Sequence, residues 1–142
     1  MKIVVATDGS SISYGALVAA IDLSSKLREP AELHVVAVVD YMVPPVGLGK
    51  PPATAPDLLG EEAESALLVA REIADEKGVV IHSHILRGHV ASEIIRYASE
   101  IKADLIVLGT HGRRRLMHQV LGSACQAIVL ESPVPVLTVH SQ

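Results

Sequence analysis

Residues 103–123 read Ala103-Asp104-Leu105-Ile106-Val107-Leu108-Gly109-Thr110-His111-Gly112-Arg113-Arg114-Arg115-Leu116-Met117-His118-Gln119-Val120-Leu121-Gly122-Ser123. Four consecutive aliphatic residues, Leu105 to Leu108, bounded by a glycine, mark a short strand over 104–108 that is apolar on both faces. A loop over 109–121 follows, and Ser123 opens a helix over 123–131. A short buried strand that leads through a loop into a helix is one unit of an alternating β/α chain.

The same unit repeats outward in both directions. Residues 3–7 form a first strand closed by Asp8-Gly9-Ser10, and Ser10 or Ser11 caps a helix. Its apolar stripe is Ile12, Ala16, Leu17, Ala20, Leu23 and Leu27, and Glu29-Pro30 ends it. Residues 33–39 are a second, almost continuously apolar strand. A helix over 57–77 turns Ala63, Ala66, Leu67, Ala70, Ile73 and Ala74 inward and stops at Gly78. A third strand over 79–86, a helix over 90–101 and a last strand over 134–140 complete the pattern. Five strands alternating with four helices predict a parallel sheet covered on both faces. Residues 41–56 hold five of the eight prolines and two glycines, and are expected to be a surface loop. No internal repeat or second domain is evident, so residues 1–142 are read as one domain.

Composition narrows the function classes. Of the 142 residues, 49% are apolar, and there is no Phe or Trp, so the core must be Val, Ile, Leu and Ala. A single cysteine, Cys125, excludes an internal disulfide and fits a reducing compartment. The start, Met1 to Asp8, is too short an apolar run for a signal peptide, and no run approaches the ~18 apolar residues of a membrane span. A cytoplasmic chain without membrane partners is expected. A net charge of −4 argues against nucleic acid as a partner.

In open parallel sheets, ligands bind beyond the carboxyl ends of the strands, where the winding direction reverses. If the first and fourth strands are neighbours, residues 7–10 and 109–123 share that crevice. The second segment has the skeleton Gly109, two residues, Gly112, nine residues, Gly122-Ser123. Gly109 and Gly112 are expected to permit positive φ and let backbone amides approach a ligand. Gly122-Ser123 stands at a helix start, where unpaired amides and partial positive charge favour phosphate. Of Arg113, Arg114 and Arg115, the first is expected to reach phosphate and the others to face solvent. His111 and His118 flank the loop without a clear catalytic role.

These residues resemble the universal stress protein family, on its nucleotide-binding branch, along the whole chain. The resemblance is carried by Val4-Val5-Ala6-Thr7-Asp8-Gly9-Ser10, Leu33-His34-Val35-Val36, Ala103 to Gly109, the glycine loop, and Pro133-Val134-Pro135-Val136-Leu137. It implies an α/β, three-layer, open five-stranded parallel sheet with four helices, Rossmann-like and adenine nucleotide alpha hydrolase-like, with strand order 3-2-1-4-5. It implies that the backbones of Gly109, Gly112, Gly122 and Ser123 hold phosphates and ribose, and that Ala6, Thr7, Asp8 and Val35 surround adenine and ribose. Leu108, Arg113 and Ala124 complete the candidate set. Ala6 departs from the proline that relatives often carry. The expected ligand is ATP, or ADP or AMP, with any Mg²⁺ arriving on the phosphates near Asp8. Asp8 itself can meet ribose hydroxyls or cap the first helix, a task for which Ser10 competes.

Other patterns carry less. Gly47-Leu48-Gly49-Lys50 is followed by Pro51 where a phosphate loop needs Ser or Thr. His82 and His84 read as exposed edge-strand histidines rather than metal ligands. Cys125 reads as core, although a helix start can lower a thiol pKa. Glu61, Glu62 and Glu64 form a solvated helix face, and no Gly-x-Ser-x-Gly elbow is present. A phosphorylation receiver would need paired acids after strand one and a lysine ending strand five; Asp8 stands alone, and the chain ends Val139-His140-Ser141-Gln142. The leading expectation is an ATP-binding stress-response or signalling module that is at most a slow ATPase, because no residue is placed as a catalytic group. The alternative is a nucleotide-free dimeric interaction module. In either case the last strand, Val134 to His140, is an edge expected to pair in a homodimer.

Overall fold

The computed structural model describes residues 1–40, 58–111 and 121–140. The proline-rich segment 41–56 and the candidates Gly112, Arg113, Arg114, Arg115 and His118 lie outside the described residues. The element order is β1 (Lys2–Ala6), α1 (Ser11–Ser25), β2 (Glu32–Val39), α2 (Leu58–Glu76), β3 (Ile81–Arg87), α3 (Val90–Glu100), β4 (Leu105–Gly109), α4 (Ser123–Glu131) and β5 (Val136–Val139). The strands form one five-stranded sheet in the order β3-β2-β1-β4-β5, and every pair is parallel. This is the expected α/β layout and strand order.

Period-two alternation divides the strand side chains between two apolar layers. Ile3, Val5, Leu33, Val35, Ala37 and Val107 pack on one face against Ala16, Leu17 and Ala20 of α1 and Ala63, Leu67 and Ala70 of α2. Val4, Val36, Ile106 and Leu108 pack on the other against Ala91, Ile94 and Ala98 of α3 and Cys125 and Ile128 of α4. Right-handed crossovers explain the split. From β1 the chain steps through α1 and α2 towards β3. Helix α3 then returns it to β4, on the far side of β1, and α4 leads outward to β5.

Local hydrogen bonding moved several boundaries from their expected places. The buried stripe of α1 is Ser13, Ala16, Leu17, Ala20, Ile21 and Ser24, whereas Ile12, Leu23 and Leu27 are half-buried. Both serines are satisfied locally: Ser13 Oγ donates to the Ser10 carbonyl at 2.8 Å, and Ser24 Oγ accepts from the Ala31 amide at 2.8 Å. The helix ends at Ser25, before Glu29-Pro30. Val79 belongs to the close of α2 rather than to β3. Gly78, at φ +69°, turns the chain so that the Val79 amide reaches the Ala74 carbonyl at 3.0 Å, the Schellman arrangement. Pro135, which has no amide, still joins β5 to β4 by accepting from the Ile106 amide at 2.9 Å.

Gly109 has a different use from the expected one. It is not among the described glycines with positive φ, which are Gly9, Gly78 and Gly88. A Cβ at Gly109 would overlap Ile12 Cγ2 and lie 3.2 Å from the Ile12 backbone carbon. The glycine therefore lets the first turn of α1 close against the end of β4. Gly109→Ala should destabilise the fold by about 1–3 kcal/mol, the usual range for overpacking. Adding Ile12→Ala should recover more than half of that loss, as read from urea-unfolding midpoints; an unchanged midpoint in the single variant would show that the contact yields freely.

Candidate functional site

A cavity of about 280 Å³ opens at the carboxyl ends of β1 and β4. It lies at the point where the winding direction reverses, the expected position for a ligand in an open sheet. The β1–α1 connection supplies Ala6, Thr7, Asp8 and Ser13 to its lining, and the exit of β4 supplies Leu108, Gly109 and His111. Strand β2 adds Val36 and Val38, α3 adds Val90 and Ile94, and α4 adds Gly122, Ser123, Ala124, Cys125 and Ile128. An adjoining cavity of about 360 Å³ shares Thr7, Asp8, Val38 and Val90 and extends to Asp40, Leu59 and Glu62. Each volume is near the lower end of the ~300–1,000 Å³ usual for small-molecule sites.

The turn after β1 is held by short polar contacts. Gly9 adopts φ +84°, a conformation costly for residues with a Cβ. The Asp8 carboxylate accepts from the Ser10 amide at 2.9 Å, while Ser10 Oγ caps α1 by accepting from the Ser13 amide at 3.2 Å. Ser10 thus takes the capping task for which Asp8 was the alternative. Below the turn, the Thr7 and Ser13 hydroxyls lie 2.8 Å apart, and the Gly9 amide donates to Thr7 Oγ1 at 3.2 Å. Because Ser13 already donates to Ser10, the Thr7 hydroxyl donates to Ser13. This chain of hydroxyls fixes the turn that presents Asp8 to the cavity.

On the opposite side, α4 starts without a side-chain cap at Gly122, whose φ of −65° and ψ of 158° any residue can adopt. The Gly122 amide donates to the Thr110 carbonyl at 2.6 Å, and the Thr110 amide donates to Val139 at 3.0 Å. Thr110 is buried, so these bonds clasp the base of the loop to the sheet. Gly122 therefore spends its amide within the chain, unlike the donor role the resemblance implied. The amides at the helix start belong to Ser123, Ala124 and Cys125, which have no intrahelical acceptor in the first turn. Those three residues line the cavity.

Of the sequence candidates, Ala6, Thr7, Asp8, Leu108, Gly109, Gly122, Ser123 and Ala124 line this cavity. Gly112 and Arg113 lie outside the described residues. Val35 does not line it: its side chain is fully buried in the layer under α1 and α2. Val36, which pairs in register with Ala6, occupies the wall instead. Ser13, Val38, Val90, Ile94 and Ile128 were missed as well. Strand β2 is apolar on both faces, so the sequence carried no signal for Val36 over Val35, and only tertiary packing brings α3 to the wall. Cys125 is both core and cavity wall. Burial pushes its thiol pKa up, outweighing any lowering from the helix start.

Among the described residues no helix is long and apolar enough to cross a membrane, and no group of three or more His, Cys, Asp or Glu side chains is arranged to hold a metal ion.

Comparison with known proteins gives the lineage. The family model described as the universal stress protein family matches residues 1–140. Universal stress protein MJ0531 of Methanocaldococcus jannaschii is 40% identical over 143 residues, covering 97% of this chain and 81% of the relative. The solved structure of MJ0577 superposes with a TM-score of 0.78 at 22% identity, covering 99% of this chain and 96% of the other, and so shares the fold. A universal stress protein crystallised in complex with cAMP superposes with a TM-score of 0.73 at 25% identity, covering 100% and 98%. The chain belongs to the universal stress protein family.

Proposed function

We propose that this protein binds an adenine nucleotide, ATP or its products ADP and AMP, in the cavity between β1 and β4. The observation that carries the reading is the pairing of two unlike ends in one cavity. One end is an apolar slot of Ala6, Val36, Val38 and Leu108; the other is the uncapped start of α4 at Ser123 and Ala124. The slot suits a flat heteroaromatic base, and the helix start suits phosphate, through unpaired amides and the helix dipole. Asp8, which also lines the cavity, is suited to accept from ribose hydroxyls. The relative solved with cAMP supports the adenine class of ligand. Gly112 and Arg113 are proposed to extend the phosphate side. Any Mg²⁺ would enter on the phosphates near Asp8, since one carboxylate does not make a magnesium cage by itself.

Hydrolysis is proposed to be slow or absent. Phosphoryl transfer needs a positioned nucleophile and a firmly held metal, and among the described residues of the lining Asp8 and His111 are the carboxylate and imidazole present. Occupancy, rather than turnover, would then be the signal of a cytoplasmic stress-response module. Equilibrium dialysis with labelled ATP should show saturable binding in the micromolar range. Gly122→Val, placed where valine fits the backbone, should stay folded and bind at least about tenfold more weakly, because its side chain fills the phosphate end. A wild-type protein without saturable binding would favour the nucleotide-free interaction module instead.

The homodimer is proposed to form through residues 134–140. Strand β5 lies at the sheet edge, where unpaired amides and carbonyls invite another strand. Leu137 on β5 and Leu130 at the end of α4 are exposed, 40% and 83% respectively. Light scattering should give a dimer for the intact chain. Truncation after Leu130 should give monomers or insoluble protein, and a soluble dimer of the truncated chain would contradict this interface.

A further inference from the structure

His82 and His84 are exposed on the edge strand β3, as expected, and form one cluster with the buried His34 of β2. Parallel register sets His34 of β2 opposite His82 of β3, with His84 two residues further along β3 on the same face. The His34 and His82 rings stack with centroids 5.0 Å apart and planes at 28°, and His34 and His84 stack at 6.0 Å and 14°. Tyr97 of α3 closes the group, 5.2 Å from His84 and 6.0 Å from His34. His34 is 8% exposed and uses both ring nitrogens: Nδ1 meets the Tyr97 hydroxyl at 3.0 Å, and Nε2 meets Glu32 Oε1 at 2.7 Å. Both His34 nitrogens are thus engaged, and among the described residues the cluster is not arranged to hold a metal ion.

We propose that this cluster is a proton-operated latch that holds β3 and α3 to the sheet while its imidazoles are neutral and loosens that corner when they are charged together. Three cations stacked 5–6 Å apart repel one another, and the repulsion is strongest where one ring is buried. The surrounding charges relieve only part of it. Glu32 of β2 sits against His34 and is itself influenced by Lys2 of β1. Glu100 of α3 acts on Tyr97 but is engaged by Arg96 at 2.7 Å, as is Glu93 at 2.6 Å. Among the described residues no carboxylate hydrogen-bonds His82 or His84.

Burial lowers the His84 pKa first, and the charges of His34 and His82 lower it further. A histidine whose pKa is depressed by folding stabilises the fold above its unfolded value of about 6.5; that contribution is lost as pH falls through 6.5 towards the folded value. Glu32 works in a lower window. Its pKa is lowered, chiefly by the His34 hydrogen bond, so its contribution is lost only as pH falls below the ordinary carboxylate range. The loss as pH falls through 6.5 therefore enters through His84. Of the two elements loosened, α3 also reaches the cavity, where it contributes Val90 and Ile94. Acid would then open the wall of the site from behind.

The test compares urea unfolding and amide-exchange protection factors at pH 7.5 and 5.2, without nucleotide, for the wild type and the His82→Gln/His84→Gln double variant. For the wild type, the folding equilibrium constant should fall about tenfold. Protection should fall in residues 81–87 and 90–100 more than in residues 105–109. The double variant should change less than about threefold, with the difference in protection gone. If it is too unstable at pH 7.5 to compare, His82→Gln alone, at an exposed position, should still remove about half of the acid effect. Equal pH dependence in wild type and variant, a wild type indifferent to this pH change, or a uniform loss of protection would each overturn the latch. None of these outcomes depends on nucleotide binding.

Discussion

A crossover between parallel strands winds right-handed, so a helix lies on one face when the chain steps to one side and on the opposite face when it steps to the other. This chain steps both ways from β1. Helices α1 and α2 cover one face on the way to β3, and α3 and α4 cover the other on the way from β3 to β5. The loops leaving β1 and β4 are therefore drawn to opposite faces, and among the described residues no helix fills the gap between them. That gap is the cavity. Its chemistry follows from what borders it: a turn carrying Asp8 on one side and an uncapped helix start at Ser123 on the other.

The residue palette makes this geometry possible. Without Phe or Trp, the layers are built from small and branched aliphatics, and alanines such as Ala16, Ala20, Ala70 and Ala98 let helices approach the sheet closely. Gly109 is the extreme case, where even one methyl group would meet Ile12. Close approach of α1 to β4 brings the Asp8 turn and the β4 exit into one site. The polar contacts are equally local. The Thr7 and Ser13 hydroxyls, anchored on the Ser10 carbonyl, and the Gly122–Thr110–Val139 clasp hold the two rims with short hydrogen bonds at little conformational cost.

Sequence pattern reached the alternating β/α layout, and the family resemblance supplied the strand order, for physical reasons that also mark the limits of each. Strands 1 and 4 are short apolar runs that lead into glycine-containing turns, and such runs in a β/α repeat imply a parallel sheet without fixing its strand order; α4 was placed residue for residue by its glycine and serine. The ends of α1 and β3 were legible only to within a few residues, because Ser24, Gly78 and Val79 form closing hydrogen bonds that hydrophobic spacing does not encode. Val35 was assigned to the wrong wall because β2 is apolar on both faces, so composition carries no parity; the register Ala6↔Val36 supplies it. Gly109 was read as a flexible turn residue, although the contact that demands glycine comes from Ile12, almost a hundred residues away. The His34 cluster spans three elements and was invisible for the same reason.

The most direct measurement of the central claim is an amide-resonance titration of the ¹⁵N-labelled protein with AMP and then ATP. The account predicts that the largest shifts fall on the amides of Asp8, Gly109, Ser123 and Ala124, with the α4 amides moving further for ATP than for AMP. Shifts centred elsewhere, with residues 6–9 and 122–125 unmoved, would show that the gap between β1 and β4 is not the nucleotide site.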